Sequence, residues 1–234
     1  MAQNRIGIFG GTFNPVHNGH LKVVRQALAE HALDRLIVIP AAQNPLKDGA
    51  PEALPCDRLL LLRAAFNGMS GVTVDDRELR RGGVSYAIDT VREIAAENPG
   101  AEILFFVGAD SVPDLPRWKD ADELQKLCRF VSYPRTAESS TEIRARLARG
   151  ESVDDLVPAT VALFLRHGVR YNGGDAAADK VAAAVLKGLE RKEGFCPCRI
   201  PKLPEFFCPC DEFKGQLADV GYHGLCHCRL YVKP

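Results

Sequence analysis

Over residues 1–171, short β-rich apolar runs alternate with longer helical patterns, and this alternation constrains the chain most. Arg5 to Phe9, Leu36 to Ile39, Val72 to Val74, Ile103 to Val107 and Phe130 to Ser132 read as strands. Helical patterns run from about Gly19 to Ala32, over Arg58 to Phe66, and from about Ser85 to Glu97. Strands separated by helices of this length imply right-handed crossovers and parallel pairing. The expected class is therefore α/β, an open, doubly wound, mostly parallel sheet. Ligands in such sheets bind beyond the carboxyl ends of the strands.

Two helix signals close this first unit. Ser139-Ser140-Thr141-Glu142 reads as a capping box with Ser139 as N-cap and Glu142 as its reciprocal partner. Pro158 suits the first turn of a helix that stops before Gly168. Asn172-Gly173-Gly174-Asp175 then has the composition of a hinge. The expected organisation is a first domain over 1–171, a linker over 172–178 and a small α-helical, Cys-rich domain over 179–234. In that last part Val181, Val185, Leu186 and Leu189 form one helical stripe. Six of the eight cysteines of the 234-residue chain follow it. So small a unit rarely stabilises itself by burial alone, which makes the cysteines the natural staple.

Thirty Lys+Arg balance thirty Asp+Glu, against a nucleic-acid partner that demands surplus cations. The longest apolar runs, Ile103 to Val107 and Thr160 to Leu165, are too short to cross a bilayer. No secretory pattern opens the chain, so the expectation is a cytoplasmic protein with no membrane partner.

Gly10-Gly11-Thr12-Phe13-Asn14-Pro15-Val16-His17-Asn18-Gly19-His20 joins the first strand to the first helix. Its glycines let a ligand approach the backbone, and a helix N-terminus favours phosphate. Neither a P-loop nor the dinucleotide G-x-G-x-x-G fingerprint is present. His17 and His20, three apart, can face one phosphate; alternatively one is a cap and the other a packed core residue. Zinc lacks an evident third ligand here.

This string resembles the signature of the nucleotidylyltransferase superfamily, a Rossmann-like fold, and residues 1–171 resemble bacterial nicotinate-nucleotide adenylyltransferases. Asn44-Pro45-Leu46-Lys47, Asp76 to Arg81, Ser85-Tyr86-Ala87, Gly108-Ala109-Asp110-Ser111, Arg117-Trp118 and Ser139 to Arg144 carry the narrower likeness. The resemblance implies transfer of AMP from ATP to nicotinate mononucleotide, with Mg²⁺ accompanying ATP. It implies that Gly10, Gly11, Thr12, Phe13, His17, His20, Asp110, Ser139, Ser140, Thr141 and Arg144 bind ATP. Lys47 and Arg144 join the two histidines as catalytic residues, neutralising phosphate charge from opposite sides. Asn44, Lys47, Tyr86, Thr90, Trp118 and Arg135 would receive the mononucleotide. Each has a plainer reading: Lys47 a solvated loop residue, Trp118 core, Tyr86 and Thr90 a helix start, Asp110 a turn former. One departure stands out. Only Thr136, Ala137 and Glu138 separate Arg135 from Ser139, where the family carries a longer segment with an additional strand.

Cys196-Pro197-Cys198-Arg199, Cys208-Pro209-Cys210 and Cys226-His227-Cys228 are three pairs with one residue between cysteines. Zinc ribbons prefer wider spacing, and disulfide frameworks belong to secreted chains. An iron–sulfur cluster beside a redox-active pair suits six cysteines better, with structural Zn²⁺ as the alternative. The pattern resembles the catalytic chain of ferredoxin–thioredoxin reductase. That resemblance implies a 4Fe-4S cluster on Cys196, Cys208, Cys210 and Cys226. Cys198 and Cys228 would form the active disulfide, with His227 moving protons beside it. A ferredoxin or thioredoxin-like partner is implied. Cys56 and Cys128 read as packing residues. The leading expectation joins an adenylyltransferase to this thiol-redox unit; the alternative is an electron-transfer protein carrying a degenerate nucleotide-binding domain.

Overall fold

The structure, a computed structural model, describes residues 4–47, 49, 51, 53–171, 208–219, 221–226, 228 and 231–234. The chain begins with β1 (Arg5–Gly11), α1 (Asn18–Glu30), β2 (Arg35–Pro40), α2 (Pro55–Phe66) and β3 (Val72–Val74). It continues through α3 (Arg77–Arg81), α4 (Ala87–Glu97), β4 (Glu102–Gly108), a 3₁₀ segment (Ala109–Arg117), α5 (Ala121–Leu127) and β5 (Arg129–Tyr133). After these come α6 (Ser140–Ala148), α7 (Ala159–Arg166) and β6 (Arg170–Tyr171). The described C-terminal residues form α8 (Asp211–Ala218), β7 (Gly224–Leu225) and β8 (Tyr231–Lys233).

Five parallel strands stand in the order β3-β2-β1-β4-β5, so the winding reverses between β1 and β4. All five expected strands are present. Their unbroken apolar character follows from burial on both faces. Phe9, Leu36, Val38, Leu104 and Phe106 meet α1, α2 and α7 on one face. Ile6, Ile8, Ile37, Ile39, Ile103, Phe105 and Val107 meet α4 and α5 on the other. Burying this apolar area is the main drive to fold.

Three elements had no readable pattern. The five-residue α3 is Arg-Glu-Leu-Arg-Arg, too short and charged for a stripe; the 3₁₀ segment contains Pro113 and Pro116; α5 starts from Asp120 at φ 51. At α6, Ser139 Oγ accepts from Glu142 N–H at 3.2 Å, as a capping box requires. The reciprocal half is replaced: the Glu142 carboxylate accepts from Arg146 Nε at 3.1 Å. Between β5 and α6 there is no further strand, and β5 is the sheet edge. Cys128 is a buried packing residue whose thiol donates to Leu124 O.

The described C-terminal residues are not purely helical. β8 pairs antiparallel with both β6 and β7. Phe213, Leu217 and Tyr231 share one apolar cluster with Leu60, Leu62, Val161 and Phe164. Tyr231 meets Phe164 edge-on at 5.0 Å and stacks on Phe213 at 5.7 Å. Asn67 Nδ2, just past α2, donates to Cys208 O at 2.5 Å. The helical stripe from Val181 to Leu189 lies outside the described residues.

Gly7 shows how tight the central strand is. A Cβ there stands 2.8 Å from both Leu33 Cδ1 and the Phe106 ring. Gly7→Ala is expected to cost about 1–3 kcal/mol by overpacking. Urea unfolding should show a lower midpoint at an unchanged slope; an unchanged midpoint would refute the packing account.

Candidate active site

The carboxyl ends of β1, β2 and β4 release three segments on one side of the sheet, beside the β1–β4 switch point. The first, Thr12 to Val16, carries the chain into α1. Phe13 is buried and left-handed at φ 48, a conformation a non-glycine residue holds only when its surroundings impose it. Side chains hold this loop by its carbonyls. Arg58 on α2 donates to Thr12 O at 2.7 Å, Arg144 on α6 to Asn14 O at 2.8 Å, and Ser140 Oγ to Pro15 O at 2.9 Å. The α6 N-terminus is thereby drawn against the α1 N-terminus, bringing the two expected phosphate segments together.

His17 is the N-cap of α1 and His20 its third residue. The rings lie 3.6 Å apart, tilted by 30°. His20 Nδ1 accepts the His17 backbone N–H at 3.1 Å, so the neutral ring carries its proton on Nε2. The capping contact therefore occupies one edge of the imidazole and leaves Nε2–H on the opposite edge. Phe13 packs edge-on to the same ring at 4.8 Å. Burial pulls His17 down to about 4, with Glu138 opposing, while burial, His17 and Lys47 hold His20 well below its ordinary value. Both rings are neutral donors at pH 7. Thr12 Oγ1 and His17 Nδ1 are buried and have no hydrogen-bond partner among the described residues.

From β2, Ala41 and Ala42 lead to Asn44, whose Oδ1 accepts from Leu46 N–H in a tight turn. Lys47 is exposed on that turn, near enough to His20 to influence it. From β4, Asp110 is the second residue of the 3₁₀ segment; it is exposed, with Arg135 Nη1 3.9 Å from its Oδ2. Trp118 sits half-buried with its ring edge-on to Phe105 and Phe130, at 5.8 Å from each. Tyr86 caps α4 under the Lys119 ammonium at 4.5 Å. Ser139 and Ser140 are half-buried and Thr141 is exposed at the start of α6.

Thr90 departs from expectation. It is 1% exposed, and its hydroxyl donates to Glu78 Oε1 at 2.6 Å, satisfying a buried carboxylate instead of lining an open pocket. The short connection after Arg135 also has a definite place. Thr136 Oγ1 lies where a Gly19 Cβ would stand, only 2.0 Å from it. Glu138 pairs with Lys22 at 2.5 Å. Residues 136–138 thus form a strap packed on the first turn of α1.

Sequence reading missed Arg58. It is fully buried, and besides Thr12 O it donates to Ala41 O at 2.8 Å. It begins the Arg58 to Phe66 helical pattern, where an arginine ordinarily marks a solvent face, so nothing local signals it.

At the C-terminus Cys210, Cys226 and Cys228 are buried and Cys208 half-buried. Tyr231 N–H donates to Cys226 Sγ at 3.3 Å, and Tyr231 Oη lies 3.4 Å from Cys208 Sγ. Among the described residues no three metal-ligating side chains form a group. Cys196, Cys198 and His227 lie outside the described residues. No described helix is long and apolar enough to cross a membrane.

Residues 8–168 match the cytidylyltransferase-like family. Relatives named "Probable nicotinate-nucleotide adenylyltransferase" include one from Gemmatimonas aurantiaca, 40% identical over 69% of this chain and 89% of its own length. Another, from Opitutus terrae, is 38% identical over 69% of this chain and 95% of its own. A solved putative nicotinate-nucleotide adenylyltransferase from Vibrio parahaemolyticus superposes with a TM-score of 0.60 at 25% identity, over 70% of this chain and 99% of that one. A Plasmodium falciparum nicotinic acid mononucleotide adenylyltransferase, solved with NaAD, shares the fold at 16% identity and a TM-score of 0.57, over 71% and 97% of the two chains. The family match ends at residue 168, before the cysteine-rich tail. Through its first 170 or so residues, the chain belongs to the cytidylyltransferase-like family, among the nicotinate-nucleotide adenylyltransferases.

Proposed function

We propose that the protein transfers AMP from ATP to nicotinate mononucleotide, releasing pyrophosphate and forming deamido-NAD. The observation that carries this reading is the meeting of two helix N-termini, α1 with His17 and His20 and α6 with Ser139 to Arg144, on one clamped loop. An oxygen of the mononucleotide phosphate attacks the α-phosphorus, and the α–β bridging bond breaks. No covalent enzyme intermediate is needed; alignment and charge stabilisation suffice. His20 Nε2–H and the His17 ring donate to ATP phosphates. Lys47 and Arg144 bring cations from opposite sides. Ser139, Ser140 and Thr141 hold the pyrophosphate end, and Gly10 to Phe13 and Asp110 flank the nucleotide. Mg²⁺ would accompany ATP, held mainly by its phosphates and water, and would supply charge neutralisation there. Asn44, Tyr86, Trp118 and Arg135 face the acceptor side.

For the tail, we infer that Cys196, Cys208, Cys210 and Cys226 hold a 4Fe-4S cluster, with Cys198 and Cys228 as the redox pair and His227 moving protons between them. Burial and hydrogen bonds to sulfur from Tyr231 suit ligating thiolates. Such a cluster supplies single electrons. Tyr231 fixes the two sulfurs that it touches, and Asn67 fixes the Cys208 backbone. A ferredoxin or thioredoxin-like protein is the fitting partner class.

Incubation with ATP, Mg²⁺ and nicotinate mononucleotide should release pyrophosphate; none from folded protein would sink the transferase reading. His17→Ala and His20→Ala should each abolish turnover while leaving the circular dichroism spectrum unchanged.

A stability measurement tests the buried imidazole. His17 titrates near 4 in the fold against 6.5 unfolded, so between these values the unfolded chain binds the extra proton. Stability is complete above 6.5 and falls by about 3 kcal/mol from this group as the pH drops towards 4. Urea unfolding at pH 7 and 4.5 should show a smaller loss for His17→Asn than for the wild type.

Anaerobically purified protein should be brown and contain about four iron atoms, as one such cluster requires. Colourless, zinc-containing protein would exclude the cluster.

A further inference from the structure

Arg58 is a charge where a fold ordinarily admits none. Its side chain is fully buried, and its three hydrogen bonds go only to backbone carbonyls: Thr12 O at 2.7 Å, Ala41 O at 2.8 Å and Ala42 O at 3.4 Å. It makes no ion pair among the described residues, and its Nε has no acceptor. A buried guanidinium without a carboxylate is costly, and an apolar side chain of similar volume would fill the same space at lower cost. The arrangement must therefore be sought in what the carbonyls belong to.

Thr12 lies in the loop that leads into His17. Ala41 and Ala42 form the corner that leads into Asn44 and Lys47. These segments leave neighbouring strands, and Ala41 N–H donates to Gly11 O at 2.8 Å as the last backbone tie between them. Beyond that tie, the planar guanidinium spans the gap, with one nitrogen, Nη1, serving both Thr12 O and Ala41 O. The second nitrogen, Nη2, reaches Ala42 O at 3.4 Å, so the planar group spreads its donors over three carbonyls in fixed geometry; an ammonium can serve two of these acceptors from its one nitrogen but lacks that planar spread. Arg58 itself rides on α2, packed by Leu60, Leu61 and Leu62.

We infer that Arg58 is a positioning residue for the transfer, setting the spacing between the ATP-binding loop and the acceptor-side loop. This rests on the proposed transferase reading. Arg58 touches neither reactant; it fixes the two backbones that carry the groups that do. Because reaction between two bound anions depends on sub-ångström alignment, a misplacement of about 1 Å costs roughly 100-fold in rate. Binding of each reactant alone depends on one loop at a time and should suffer far less.

The test uses the full-length protein with R58K and R58M, each compared by thermal melt, by calorimetric ATP binding, and by kcat and KM for both substrates per folded molecule. For R58M the expected result is a kcat lower by about 100-fold, with the ATP dissociation constant changed less than about fivefold. R58K should keep the fold and lose roughly tenfold in kcat, since it restores the charge without the fork. A purely structural role moves the melting temperature and the folded fraction, leaving kcat per folded molecule intact. That outcome, in R58M or, should R58M not fold, in R58K, overturns the inference. Absence of turnover in the wild type refutes the transferase reading instead, so the two failures are distinct.

Discussion

The loop from Thr12 to Pro15 belongs to no regular element, and the site depends on its being held in one shape. Helices and strands satisfy their own backbone groups; this segment cannot. Three of its carbonyls are taken by Arg58, Ser140 and Arg144, donors from two different helices. The fold thus positions its most important loop from both sides, through side chains set on rigid elements. The left-handed Phe13 is the local sign of that external control.

The same loop explains the electrostatic character of the site. His17 and His20 are dry enough to be neutral at pH 7, so they present polarised N–H groups without the desolvation cost of two imidazolium ions. Cationic side chains stand on the surrounding segments, Lys47, Arg144 and the buried Arg58, while the Glu138 carboxylate, which acts on His17, is tied to Lys22. Under the proposed transfer, a phosphate chain would meet donors already oriented, so charge stabilisation would need no reorganisation during reaction.

Much of this was legible in the sequence, for identifiable reasons. The five strands are buried on both faces and so read as continuous apolar runs, and the Gly10 to His20 string announces a strand that runs through a short loop into a helix. Ser139 declared the α6 start. The signals failed where tertiary contacts override local pattern. Arg58 has no neighbour in sequence that marks it as buried. Thr90 looks like a pocket hydroxyl until Glu78, twelve residues away, takes it. Glu142 follows the capping-box spacing but finds Arg146 instead. Composition marked the Asn172 to Asp175 stretch as a hinge, yet residues on either side of it share one apolar cluster and one antiparallel sheet.

That small sheet bears on how the polypeptide matures during translation. β6 emerges from the ribosome about sixty residues before β8, the strand that pairs with it. In the interval the Phe164 ring and the neighbouring face of α2 and α7 have no cover from Tyr231, Phe213 or Leu217. The nascent transferase body is left with an oily flank and a bare strand edge, the kind of surface that recruits chaperones or sticks to other nascent chains. Completing the tail seals it.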